Sequence, residues 1–192
     1  MRASTALLAC PSPERWLTSA LAELDVVLLD HAHCEKKAAS TVLSLIFRAP
    51  DPELAGALSR MAREELTHFE MALRELSRRG IAFGRLEPSA YAGKLAAICR
   101  KRPEPEALCD AFLAAALIEA RSCERLALLH EAVEDAELKK FYAALHPAEE
   151  RHHALMLACA ARFGDVEERL PLLRAREAEL ILAGEPAARM HS

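Results

Sequence analysis

The strongest constraint on the fold is where this chain keeps its helix breakers. Only 6 glycines and 10 prolines occur in 192 residues, many of them outside the long periodic stretches. Proline removes a backbone donor and glycine costs backbone entropy, so both punctuate helices. Ser12-Pro13-Glu14 reads as a helix start, with serine as cap and proline at the first helical position. The pattern stays helical to about Phe47, where Ala49-Pro50-Asp51-Pro52 ends it. A second helix is expected from about Pro52 to Arg79, stopped by Gly80. Residues 80–103 lose the period at Gly80, Gly84, Pro88, Gly93 and Pro103 and read as a long crossover, with a short helix near Ala90 to Cys99. A third helix is expected over roughly Pro105 to Ala132. A fourth follows from about Asp135 to Phe163, and a shorter fifth from about Val166 to Leu182. Residues 1–12 and 184–192 read as flexible ends of a single domain spanning 1–192. Two short connections and one long one describe an all-α, ferritin-like four-helix bundle with its crossover between helices two and three, plus an extra C-terminal helix.

Composition narrows the class further. The chain is 52% hydrophobic and only 5% aromatic, an Ala- and Leu-rich balance that favours helix over sheet. A formal charge of -4 gives no global nucleic-acid signature but allows a local one. No apolar run approaches the roughly 18 residues of a membrane span, and Ala6 to Cys10 is too short for a signal segment. None of the six cysteines forms a C-x-x-C, which argues against zinc ribbons and thioredoxin-like motifs. Reduced, packed thiols and a cytoplasmic location are expected.

Chemistry enters through the histidines. Three of the eight, His68, His152 and His153, follow a glutamate by three positions. On a helix such a pair shares a face and can present a carboxylate and an imidazole to one metal. In helix two, Glu65 and His68 continue the apolar stripe of Leu54, Leu58, Met61, Ala62, Phe69, Ala72 and Leu76. In helix four, Glu149 and His152 share a face with Phe141, Leu145, Met156, Cys159 and Phe163, whereas Glu150 and His153 fall with Tyr142, His146, Leu157 and Gly164. The first register is the apolar one. A charge on such a stripe is costly unless it is paired or metal-bound. Di-iron bundles add one glutamate from each remaining helix. Glu35 lies with Leu24, Leu28, Ala39, Val42 and Ile46, and Glu119 with Phe112, Ala115, Ala116, Cys123 and Leu126. Glu35 to Glu65 and Glu119 to Glu149 are both 30 residues, so the chain reads as two hairpins with equivalent ligand positions. Four carboxylates and two imidazoles suit iron or manganese better than zinc. Arg121 and Arg151 are expected to balance the carboxylate charge from behind the ligands.

Specific strings narrow the function. Leu29-Asp30-His31-Ala32-His33-Cys34-Glu35-Lys36-Lys37-Ala38-Ala39-Ser40-Thr41 resembles the first-helix signature of the bacterial MiaE family of tRNA hydroxylases. Arg63-Glu64-Glu65-Leu66-Thr67-His68, Leu117 to Arg125 and Glu149-Glu150-Arg151-His152 resemble its other three helix motifs. The likeness runs from about Trp16 to Phe163; Glu150 departs from it, standing where a small residue is expected. The resemblance implies a di-iron monooxygenase that uses dioxygen to hydroxylate the isopentenyl group of 2-methylthio-isopentenyladenosine at tRNA position 37. Glu35, Glu65, His68, Glu119, Glu149 and His152 would hold two iron ions. No flavin or nicotinamide motif is visible, so an external electron donor is implied. Ferritin- or rubrerythrin-like iron oxidation or peroxide reduction is the alternative. A tRNA partner demands cations, and Arg78, Arg79, Arg85, Lys94, Arg100, Lys101 and Arg102 cluster against a single acidic residue, Glu87, within residues 78–102. That segment is the expected contact for the anticodon stem-loop.

Overall fold

The computed structural model describes residues 6–102 and 104–192, which fall into two compact units. One is residues 22–88; the other runs up to Leu21 and resumes at Ser89. Pro103 and residues 1–5, part of the expected flexible lead-in, lie outside the described residues.

The unit of residues 22–88 is a helical hairpin. After a short helix α1 (Glu14–Ala22), which belongs to the other unit, α2 (Leu24–Ile46) packs against α3 (Pro52–Arg78). Here the first expectation needs correcting. A single helix from Pro13 to Phe47 is interrupted at Glu23, whose φ of -119° and ψ of 41° are not helical. The start of α3 matches its sequence signature, since Asp51 accepts from the Leu54 amide at 2.9 Å and Pro52 fills the first turn. Its end does too: Gly80 takes a φ of 71°, which a residue with a Cβ rarely adopts, and Ile81 N–H closes back on the Leu76 carbonyl. The buried stripe of α3 is Leu54, Leu58, Met61, Ala62, Glu65, His68, Ala72, Glu75 and Leu76. Phe69 is half-buried and turns instead toward Phe83.

The second unit is built on the hairpin of α5 (Glu106–Ala132) and α6 (Ala136–Ala160), with α1, the short α4 (Tyr91–Ala96) and α7 (Val166–Ala183) around it. Asp135 and Asp165 cap α6 and α7 through their carboxylates. α5 is buried on nearly every face, and even Arg121 and Arg125 are fully enclosed. α7 clamps α5 through two ion pairs, Arg169 to Asp110 at 2.8 Å and Glu177 to Arg121 at 2.8 Å.

The C-terminal segment is not frayed. Ala188, Arg189, Met190 and His191 are buried. Trp16 Nε1 donates to the Arg189 carbonyl at 3.0 Å, and Arg125 donates to the carbonyls of Met190 at 2.7 Å and Ser192 at 2.9 Å. His191 stacks on Tyr91. Leu7 and Leu8 are buried as well, so the lead-in is packed from there.

Candidate metal centre

Each hairpin carries one half of the expected ligand set. In the first, Glu35 of α2 and Glu65 and His68 of α3 offer ligand atoms within 4.8 Å of one another. In the second, Glu119 of α5 and Glu149 and His152 of α6 do the same. All six are at most 6% exposed. The helical register explains the convergence, because i and i+3 positions stack on the face that each hairpin buries.

The distances within each group suit metal ligation better than hydrogen bonding. His68 Nδ1 lies 3.5 Å from Glu35 Oε2 and 3.7 Å from Glu65 Oε2, and His152 Nδ1 lies 3.8 Å from Glu149 Oε1. These exceed the roughly 2.7–3.2 Å of an ordinary hydrogen bond, yet they match donors around a cation held at about 2.0–2.2 Å from each. Both groups are oxygen-rich with one imidazole, the donor chemistry of iron or manganese. The residues present therefore fit such ions.

His31 is the functional neighbour that the ligand pattern alone undervalues. It lies one turn before Glu35, and its Nε2 meets Glu35 Oε1 at 2.6 Å, buried. Burial by itself would push the Glu35 carboxyl up. Hydrogen bonding and charge from His31, then from His68, reverse this and hold it well below the ordinary carboxylate range. Glu35 is thus kept as an anion, the form that binds a cation. The i, i+4 spacing was the available signal.

Glu150 and His153 form a separate local cluster. Glu150 Oε2 meets His153 Nε2 at 3.2 Å, while Oε1 accepts from the Cys123 thiol at 3.3 Å. His146 Nε2 lies 3.4 Å from the same sulfur. The departure at Glu150 is accommodated by these partners. The expected charge-balancing role of Arg121 is not what the structure gives. Arg121 is committed to Glu177 and Glu124, and Arg151 is exposed and donates to the Pro147 carbonyl.

The basic residues divide sharply. Arg78 forks onto Glu75, Arg79 pairs with Asp25 at 2.7 Å, and Lys94 stands 3.8 Å from Glu185. Arg100 is bound to the buried Asp110 through both its backbone amide and its guanidinium. Lys101 donates to the Ala96 carbonyl. Arg85, Lys101 and Arg102 are exposed. Among the described residues no helix is long and apolar enough to cross a membrane, and all six cysteines are free thiols.

Known proteins share both the sequence and the fold. A family model described as tRNA-(MS[2]IO[6]A)-hydroxylase (MiaE) matches residues 1–192. A tRNA 2-(methylsulfanyl)-N(6)-isopentenyladenosine(37) hydroxylase of Pseudomonas putida is 42% identical, over 97% of this chain and 92% of its own length. A protein of the same description from Salmonella typhimurium is 31% identical, over 95% of this chain and 86% of its own. Among solved structures, Protein 43 with aldehyde deformylating oxygenase activity from Synechococcus matches with a TM-score of 0.91 at 41% identity, covering 97% of this chain and 96% of that one. The fold is the all-α, ferritin-like helical bundle that the connectivity implied.

Proposed function

The chain belongs to the MiaE family of tRNA hydroxylases, and on that premise we propose that it is a cytoplasmic di-iron monooxygenase that hydroxylates the isopentenyl group of 2-methylthio-isopentenyladenosine at position 37 of tRNA. The observation that carries the chemistry is the pair of equivalent buried ligand groups, one glutamate plus one Glu-x-x-His in each hairpin. In this reading the two units work as one domain. Glu35, Glu65 and His68 together with Glu119, Glu149 and His152 hold two iron ions. When bound, such a pair supplies two-electron activation of dioxygen, with one oxygen atom entering an allylic C–H bond and the other leaving as water. The balance requires two electrons and two protons from outside, so a separate electron-transfer partner serves the enzyme.

The chain's own residues supply the setting. Six ligands at most 6% exposed keep water and stray reductants away from the reacting atoms. His31 holds Glu35 in its anionic form through the 2.6 Å contact.

The test is a comparison of tRNA nucleosides by mass spectrometry in strains with and without this protein. The expected result is loss of one oxygen from the isopentenyl adenosine when the protein is absent. Identical nucleosides in the two strains would end this reading. One observation favours a second activity, the 41% identity to a protein titled for aldehyde deformylating oxygenase activity. The full-length family match and two hydroxylase relatives weigh more. Formate release from an aldehyde by the iron-loaded, reduced protein, with tRNA left unchanged, would reverse that order. Iron mineralisation without either product would instead indicate a ferritin-like role.

A further inference from the structure

We propose that the outer face of α2 and the start of the crossover form an RNA-binding platform, with Phe83 stacking a base next to the modified nucleotide and Lys36, Lys37 and Arg85 holding its phosphates. This rests on tRNA being the substrate. Of the basic run of residues 78–102 it keeps Arg85, and it adds Lys36 and Lys37, which only folding brings beside it.

The geometry begins at His33. Lys36 Nζ lies 3.2 Å from His33 Nδ1, and an ammonium can only donate, so that nitrogen accepts. His33 Nε2 then carries the hydrogen and donates to the Gly84 carbonyl at 2.9 Å, pinning the crossover to α2. The ring of Phe83 is thereby held against His33, with centroids 4.7 Å apart, and against Phe69 at 5.5 Å. Phe83 nevertheless remains 43% exposed. A phenyl ring fixed by two aromatic neighbours and open to solvent is pre-organised for stacking, and Lys36 Nζ already sits 5.4 Å from its centroid.

Charge completes the site. Beside this ring lies a cleft of about 250 Å³ whose polar lining is Asp30, His33, Lys36, Lys37 and Arg85. Lys36, Lys37 and Arg85 are exposed, and neither Lys37 nor Arg85 has an ion-pair partner among the described residues. Asp30 is buried and takes the Cys34 thiol at 3.8 Å, which leaves Glu87 as the acidic side chain exposed on this part of the crossover. By contrast Arg78 and Arg100 are paired with the buried Glu75 and Asp110, and Arg79 with the exposed Asp25. Uncommitted cations around an exposed aromatic are what single-stranded RNA recognition uses, because loop bases are unstacked and free to splay. Position also fits. Lys36 and Lys37 directly follow Glu35, so RNA on this face lies within about one helix diameter, roughly 10 Å, of a proposed iron ligand.

The test measures binding of the full-length protein to an anticodon stem-loop RNA across a salt series. The triple variant Lys36→Glu, Lys37→Glu, Arg85→Glu should bind more than tenfold more weakly. Its plot of log affinity against log salt should flatten by about 2, from three lost contacts at roughly 0.7 each. Lys140→Glu, an exposed charge on α6, should leave both values unchanged. Phe83→Ala should bind about tenfold more weakly at an unchanged slope, and Phe83→Trp should restore binding with fluorescence quenched by the RNA. Melting curves confirm that each variant is folded. Wild-type affinity and slope in the triple variant would overturn the cation assignment, and indole fluorescence left unquenched in the Phe83→Trp variant would overturn the stacking. If wild-type protein modifies tRNA while the variants bind normally, the platform falls and the activity stands. If the wild-type protein neither binds nor modifies tRNA, the substrate reading fails, and the platform with it.

Discussion

Adjacent glutamates on α6 allow the metal assignment to be tested by a single-residue choice. Glu149 and Glu150 differ by one position, yet the structure gives them opposite roles. The Glu149 side chain is 3% exposed and lies among Glu119 and His152. The Glu150 side chain is 24% exposed and already satisfied by His153 and Cys123. Consider Glu149→Gln, which keeps the volume and removes the charge. Two carboxylates within 4.8 Å repel by about 3 kcal/mol at an effective dielectric of 20. In metal-free protein the substitution relieves part of this, so the variant should melt at or above the metal-free wild type. Metal reverses the order. Ligand at 100 times its dissociation constant stabilises the native state by about 2.7 kcal/mol, which for a chain of this size raises Tm by about 5–11 °C. Wild-type protein should show that rise with Fe(II) under anaerobic conditions, and a chelator should abolish it. Glu149→Gln should lose the rise; Glu150→Gln should keep it. A metal-dependent rise retained by Glu149→Gln and lost by Glu150→Gln would refute the register and pass ligation to Glu150 and His153.

Two further perturbations probe the scaffold. Asp110 is fully buried and receives Arg169 and Arg100. Asp110→Asn should cost about 3 kcal/mol, at the low end for breaking a buried pair because Arg100 is one-third exposed. Burial alone would raise the Asp110 carboxyl, but the hydrogen bonds from Arg169 and then Arg100 hold it below its ordinary value. Its stabilisation is therefore complete above the unfolded carboxylate pKa of about 4 and is lost as pH falls further. The gap in Tm between wild type and variant should be full at neutral pH and close in acid; a gap that widens in acid would contradict the assignment. Removing residues 188–192 should destabilise more than their length suggests, because it strips the carbonyls of Met190 and Ser192 from Arg125. Burial first, and then the charge of Arg121, push that guanidinium down to about 9. Arg125→Met in the truncated chain should recover part of the loss in a thermal melt, and no recovery would argue against a desolvated charge as the cause.

What could be read in the sequence follows the range of the interaction concerned. Helix extents and both Glu-x-x-His motifs depend on residues three or four apart, and the buried stripes were legible because burial and register are local statements about one helix. Partner choice was not local. The break at Glu23 sits among Ala22, Glu23 and Leu24, good helix formers all, so propensity gave no warning of it. The docked C-terminal segment depends on Trp16 and Arg125, which stand far from it along the chain. Arg121 sits close behind Glu119 in sequence, yet its carboxylates are Glu124 and Glu177, the latter 56 positions away.

The basic residues make the same point with a functional consequence. Counting cations along residues 78–102 treats every guanidinium as available, whereas an arginine already forked onto a buried or neighbouring carboxylate has little left to offer a phosphate. Folding spends Arg78, Arg79 and Arg100 in this way and brings Lys36 and Lys37, distant in sequence and next to Glu35, up to Arg85, with Lys36 over Phe83. Uncommitted charge, rather than total charge, is therefore the quantity that locates a phosphate-binding face on a protein of net charge -4. It also accounts for how such a chain binds a polyanion while its overall charge repels one. A few local cations supply the short-range contacts, and salt screens the long-range repulsion within about 10 Å at 0.1 M. Affinity for RNA should accordingly depend far more on Lys36, Lys37 and Arg85 than on an equal number of charges removed elsewhere.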